Sequence, residues 1–376
     1  MWSWQKSATL TALVVGMGAG MGIHASAQAQ IVIGQTAGFS GIVASGVQET
    51  TDGAKLYLDN VNARGGVGGQ KIELVSLDDK FDPKLAGENA RKLIEEQNVT
   101  ALFLTRGTPH NEAIIPHLDK HGVPLIGPST GAMVLHKPVP RHVFNVRATY
   151  QREAEKAITH LASLGVTRIA VVQADDSFGA DGMAGAKRGF ELAKLTPVLQ
   201  EKFDRSKPDF SPISSKLKES QAQATLMLAS GSAVVDGYAA FRKVGYGGQI
   251  VTLSNNASSG FIKSLGENAR GVIVTQVFPG ERSGNFAMVR EAQDLAKAKG
   301  KEISPAMLEG FAAAKVLVEG LKRAGPKPTR EKLVAALETM QKVDLGGLEI
   351  SYSPTDHTGL DFADLSIIGT DGKFRR

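Results

Sequence analysis

IVIGQTAGFSGIVASGVQETTDGAKLYLDNVNARGGVGGQKIELVSLDD, residues 31–79, is the stretch that decides the fold. It opens on a short β-branched run at 31–35, passes through a loop of small residues, and continues into a segment where Ala54, Tyr57, Leu58 and Val61 recur at spacings of 0, 3, 4 and 7. That spacing lines one face of a helix, whereas residues 31–35 and 71–77 have the length and composition of buried strands. Strand, helix and strand in this order form a βαβ unit, the element of a parallel sheet wrapped by helices.

Outward from it the pattern repeats. Residues 85–97 read as a helix, and 101–104 and 123–126 as strands followed by turn and cap residues. At 143–146 the rhythm restarts with a strand, a helix over 152–164, a strong strand over 169–172 and a helix over 182–193. Segments 224–227, 234–243 and 249–253 then alternate again as strand, helix and strand. Two α/β sets of similar size predict two doubly wound parallel-sheet lobes with a cleft between them. After a strand at 272–277 come long helical segments at 287–299, 305–323 and 330–340, the last with Thr329 as its N-cap, then strand-like 348–352 and 365–369. No Pro/Ser-rich linker interrupts the chain, so the lobes are expected to share a multi-crossing hinge rather than one tether.

The composition is that of a water-soluble globular chain. Its 376 residues suffice for two cores at ~150 residues per domain. The formal charge of +5 is a small difference between 43 basic and 38 acidic residues, with no basic run interleaved with aromatics, which argues against nucleic acid as a partner. Cysteine is absent, which removes disulfides, thiolate nucleophiles and Cys-held metals together.

Residues 1–29 have the order of a secretory signal: Lys6, an apolar stretch at 8–23 diluted by Gly16, Gly18, Gly20 and Gly22, and small residues at 25–29. The stretch falls short of the ~20 apolar residues of a membrane span. Export to the periplasm with cleavage near Ala29 is the expectation. The glycine row follows no strand and opens no βαβ unit, so it is not a dinucleotide loop.

In an open parallel sheet ligands collect beyond the carboxyl ends of the strands, where helix N-termini present unpaired N–H groups. Three loops of the first set carry small residues and hydroxyls there: 36–41 with Phe39 and Ser40, 105–108 with Arg106, Gly107 and Thr108, and 127–131 with Ser129, Thr130 and Gly131. Hydroxyls and a guanidinium in such loops suit a carboxylate. The second set offers 175–179 with Phe178, read as an exposed aromatic over an apolar ligand group, 230–232 with Ser230, and 254–256 with Asn255.

With these loops placed, the chain resembles the leucine/isoleucine/valine-binding protein family, the type I periplasmic binding proteins of branched-chain amino acid ABC transporters. The likeness rests on residues 31–41, GGVGGQKIELVSLDD at 65–79, GVPLIGPSTGA at 122–132, residues 175–179 and DGKF at 371–374. It implies lobe one over 30–148 plus about 276–357 and lobe two over 149–275 plus about 358–376. It also implies a carboxylate held by the loops at 106–108 and 129–132, Ala132 included, with Phe178, Ser230 and Asn255 contacting the ligand from lobe two. Tyr150 and Asn255 stand where the family places acids near an α-ammonium, so the resemblance points to a carboxylate ligand, an amino acid or an aromatic or short-chain organic acid, with the last two favoured. Its other implications are a monomer, no cofactor, no catalysis, and membrane permease subunits of an ABC transporter as partners.

An enzyme reading competes. Residues 127–131 match the G-x-S-x-G elbow of a serine hydrolase, with His357 and either Asp356 or Asp361 as partners. Against it, His357 stands in TDHTG, the composition of a surface turn. His117 and His121 flank Asp119 at a helix end and read as solvated groups rather than metal ligands. Asp78-Asp79 and Asp175-Asp176 read as turn and cap residues. A sensor module is disfavoured because the sequence reaches Arg376 without a signalling segment.

Overall fold

β-branched and small residues at 31–37 make β1 (Ile31–Ala37) a strand buried nearly throughout, as a parallel strand covered on both faces must be. The computed structural model describes residues 1–2 and 30–376; the expected signal segment lies almost entirely outside them. After β1 come α1 (Ala44–Ala63), β2 (Ile72–Asp78), α2 (Pro83–Glu95), β3 (Ala101–Phe103), α3 (Thr108–His121), β4 (Leu125–Ile126) and β5 (Val143–Phe144). The five strands form one parallel sheet in the order β2-β1-β3-β4-β5. The strand expected to restart the rhythm at 143 is therefore the edge of the first sheet.

The second lobe follows with α4 (Tyr150–Ser163), β6 (Ile169–Ala174), α5 (Ser177–Ala193), β7 (Leu199–Phe203), α6 (Ser211–Glu219), β8 (Ala224–Leu228), α7 (Ser232–Lys243), β9 (Gln249–Thr252), α8 (Ser259–Leu265) and β10 (Ile273–Gln276). The chain then runs through α9 (Ala287–Ala298), α10 (Pro305–Ala324), α11 (Arg330–Glu338), β11 (Val343–Asp344), β12 (Glu349–Ile350), β13 (Asp364–Ile368) and β14 (Phe374–Arg375). The second sheet runs β14-β13-β10-β9-β8-β6-β7, with β13 and β14 antiparallel at one edge.

Each lobe has its own apolar core. Phe103, Phe311, Leu317 and Leu333 belong to one, Val171, Leu226, Phe241 and Val251 to the other. The helices α9–α11 pack on the first core, although they follow the second lobe in sequence. The closest crossing is that of α1 and α10, where a Cβ on Gly53 would lie 1.9 Å from the Met307 carbonyl oxygen and one on Gly310 1.8 Å from that of Thr50. Only glycine lets the two backbones approach so closely.

α5 begins five residues earlier than its sequence suggests, capped by Asp176, whose carboxylate accepts from Gly179 N at 3.0 Å. Its glycines lower helix propensity, yet Gly185 lies against the Gln151 backbone, so tight packing on α4 outweighs propensity.

Between the lobes the chain crosses at residues buried with their charges. Arg147 is 1% exposed and donates to Glu153 and, at 2.8 Å, to Ser254 Oγ. Glu153 also accepts from Ser254 N at 2.9 Å and from Thr275 Oγ1, and Glu309 lies 3.8 Å from the same guanidinium. One ionic cluster thus ties together four segments: the crossing at 147–153, the loop of Ser254, β10 and α10.

Candidate functional site

The lobes meet with their loops in contact. Ser232 N donates to the Ile42 carbonyl at 3.2 Å, Ser177 Oγ to Glu112 at 2.8 Å, and Met133 N to Asp181 at 3.1 Å. Gly231 makes the first of these possible: its φ is +56° and a Cβ there would lie 1.7 Å from Ile42 O. The cleft is closed over its own polar groups.

Arg106 stands at the centre of this seam. The loops after β3 and β4 pair through Ser129 N, which donates to Thr105 O at 2.7 Å, and this brings Arg106 beside Ser129. Arg106 Nη1 donates to Ser129 Oγ at 3.0 Å and Nη2 crosses to the Asn255 carbonyl of the second lobe at 2.6 Å. The side chain is 5% exposed, and among the described residues no carboxylate pairs with it. A cavity of about 420 Å³ opens beside it, lined by residues 41–46, Gly231, Ser232, Asn255, Asn256, Ser258, Phe261 and Ser264. Arg106 is the one charged residue lining that cavity among the described residues.

The other expected residues divide. Thr108 and Thr130 place their hydroxyls 3.1 Å apart beneath Gly107, and Gly131 O accepts from Tyr150 N at 2.7 Å, with Ala132 buried next to it. Ser230 Oγ accepts from Asn255 Nδ2 at 2.9 Å. Phe178 is not the exposed ring expected: it is 3% exposed and meets Tyr150 edge-on with centroids 4.9 Å apart. The first residue of α4 covers it, a contact within lobe two that sequence spacing does not reveal. Ser40 is exposed and its hydroxyl is taken by Asp78 at 2.6 Å, while Phe39, like Ile42 and Phe81, packs on the small cluster of Ala37, Val43 and Val47.

Residues 30–363 match the family described as periplasmic binding protein. The chain belongs to this family. The binding protein is 31% identical to a substrate-binding periplasmic protein of Ralstonia solanacearum of known structure, with 92% of this chain and 99% of that one covered and a TM-score of 0.84. A possible leucine/isoleucine/valine-binding protein from Rhodopirellula baltica superposes with a TM-score of 0.85 at 25% identity, covering 93% and 96% of the two chains. The Leu/Ile/Val-binding protein BraC3 of Rhizobium johnstonii is 25% identical over 370 residues, 94% of this chain and 95% of that one.

Of the acids of the binding protein near the cleft, two are paired with arginines, whereas Glu112 and Asp181, which accept across the seam from Ser177 Oγ and Met133 N, have no ion-pair partner among the described residues. Glu153 serves Arg147. Asp176 serves Arg205, a cleft residue that sequence reading missed because β7, the half-exposed edge strand before it, alternates Gln200, Glu201 and Lys202 in place of an apolar run. Burial works against the charge on Arg147, and Glu153 and then Glu309 outweigh it, so its pKa is raised.

The hydrolase partners are held apart by their contacts. Ser129 Oγ accepts from Arg106, whereas His357 stacks on Phe144 with centroids 4.0 Å apart and bonds the Val143 carbonyl at 3.0 Å. His357 is 1% exposed although Thr355 and Asp356 beside it are exposed, so TDHTG is a surface turn whose histidine alone points inward, its ring covered by Phe144 and Tyr352. His121 ends α3 and pairs with Glu95, and Asp119 with His142. Asp79 is the turn residue expected, its carboxylate accepting from Phe81 N at 2.9 Å, and it is buried. Burial pushes its carboxyl up to about 6, against hydrogen bonds from Phe81 N and Thr36 Oγ1. No helix among the described residues is long and apolar enough to cross a membrane, and no group of three or more His, Cys, Asp or Glu among them is placed to hold a metal.

Proposed function

We propose that this binding protein is the exported substrate-binding component of an ABC transporter of the branched-chain amino acid uptake type, closing over one small carboxylate and performing no chemistry. In this reading it works as a monomer in the periplasm, freed of its signal segment near Ala29, and hands its ligand to the membrane permease subunits. Lobe one comprises 30–148 and about 276–357, lobe two 149–275 and about 358–376, and Phe39, Ser40, Gly107, Thr108, Thr130, Gly131, Ala132, Tyr150, Phe178, Ser230 and Asn255 frame the site.

The observation that carries it is Arg106, a buried cation without an acid, beside a cavity with no other charge. A buried charge left unpaired is costly, so a ligand anion is its natural partner. Glu153 and Asp176 are neutralised by arginines and no acid lines the cavity beside Arg106, which favours an organic acid over an α-amino acid. The amino acid reading keeps support from relatives named for leucine, isoleucine and valine.

Calorimetric titration of the purified protein with leucine, valine, benzoate and hexanoate separates these. The expected result is binding of an acid that Arg106→Gln weakens by roughly 10- to 100-fold, with no release of product from p-nitrophenyl acetate by wild type or Ser129→Ala. Leucine binding that survives Arg106→Gln would overturn the reading.

A further inference from the structure

Arg205 reaches the cleft from the loop after β7. Its guanidinium lies 5.3 Å from the ring centroid of Phe178 and 5.4 Å from that of Phe81, so a ring from each lobe flanks it. Nε pairs with Asp176, Nη1 approaches Ser230 Oγ at 3.4 Å, and Nη2 is buried without a hydrogen-bond partner. Ser230 in turn accepts from Asn255 at 2.9 Å, and the Asn255 carbonyl accepts from Arg106 at 2.6 Å. Two guanidinium groups therefore bracket the same pair of lobe-two residues.

The lobe-one ring is held there by a costly backbone. Lys80 and Phe81 have φ of +52° and +60°, the left-handed region that side chains disfavour. Asp78 and Asp79 accept from their amides at 2.9 Å each, and Phe81 stacks on His110 at 4.3 Å. Consecutive residues in this conformation persist where the surroundings enforce them, as at ligand clamps.

We propose that Arg205 Nη2 donates to the end of the ligand remote from Arg106, so that the cleft selects a monocarboxylate whose far end carries an uncharged oxygen acceptor, an oxo or hydroxyl group. This rests on the acid-binding reading above. The charge balance decides the class. Arg106 has no acid and takes the carboxylate. Arg205 is already neutralised by Asp176, so a second anionic group there would face that carboxylate, whereas a neutral oxygen uses the orphaned N–H without that repulsion.

The test is calorimetry on wild type and Arg205→Met with hexanoate, 5-oxohexanoate and hexanedioate, and with benzoate, 4-hydroxybenzoate and terephthalate. In at least one series wild type is expected to bind the oxo or hydroxy acid roughly tenfold or more tightly than its unsubstituted and diacid counterparts. Arg205→Met should erase that preference while leaving the unsubstituted acid within about twofold. Melting of the unliganded variant, with Arg205→Lys alongside, reports whether the fold is intact. Equal affinities in wild type, a preference that survives Arg205→Met, or a uniform loss for all acids overturns the proposal, the last by making Arg205 a closure contact. If wild type binds none of these acids, the acid-binding reading falls and this one with it.

Discussion

The hinge and the cleft each bury an arginine, and the two are used in opposite ways. Arg147, in the crossing after β5, is surrounded by Glu153, Glu309 and Ser254. Arg106, in the loop after β3, meets only a hydroxyl and a backbone carbonyl. Taking a charge out of water is offset at the hinge by a carboxylate from this chain, and in the cleft by dipoles alone. A cation completed by its own protein holds a fold together, whereas one left incomplete is stored for something that arrives later.

Mutating the hinge cation should do most damage. Arg147→Met strands Glu153 and is expected to cost about 3–5 kcal/mol in chemical denaturation. The double variant Arg147→Met/Glu153→Gln should recover more than half of that. A loss under about 1 kcal/mol would remove the contrast between the two sites.

For the cleft cation the pattern should invert. Arg106→Gln is expected to weaken acid binding by roughly 10- to 100-fold, the worth of hydrogen bonds to a charged group, while the unliganded protein melts at or slightly above the wild-type temperature. A ligand-free destabilisation like that of Arg147→Met would show that Arg106 too is structural.

Gly231→Ala sharpens the role of closure. With its φ of +56° and Ile42 O in the way, the variant should lose the ligand-induced compaction seen by small-angle scattering, with an intrinsic cost of about 1–2 kcal/mol. Compaction equal to wild type would mean that the seam at Ile42 adjusts freely.

The smallest effect concerns pH. Burial pushes His110 and His136 down to about 4, so they are held neutral; the stability this allows is present above 6.5 and is lost as pH falls towards 4. Asp79, raised from 3.8 to about 6, has the opposite sign: its contribution is complete below 3.8 and is lost as pH rises through 6. Two histidines against one acid predict a net loss of stability on acidification below about 6.5. Asp79→Asn should steepen that loss in melting curves recorded between pH 4 and 6.5, and an unchanged slope would contradict the assignment of Asp79.

Much of the architecture was legible in the chain because it is local. The period of Ala54, Tyr57, Leu58 and Val61 falls within α1, and Thr329 caps α11 by accepting from Lys332 N at 3.2 Å. The reading weakened where neighbours distant in sequence decide the environment. α5 extends through its glycines because α4 lies against them. β7 escaped notice as a polar edge strand, and Arg205 with it. His357 sits in a polar turn yet is buried by Phe144, more than 200 residues earlier.

The site divides along the same line. The loops carrying Arg106, Thr108, Ser129 and Thr130 could be named from their residues, since strand-then-loop placement follows from periodicity within a few turns of chain. Which arginine is neutralised could not, because charge pairing depends on who stands opposite. Arg147 finds Glu153 only six residues away, but Arg106 finds Asn255, 149 residues later, and no acid among the described residues. Periodicity is written into neighbouring residues, while the electrostatics of a cleft exists only once two lobes face each other across it.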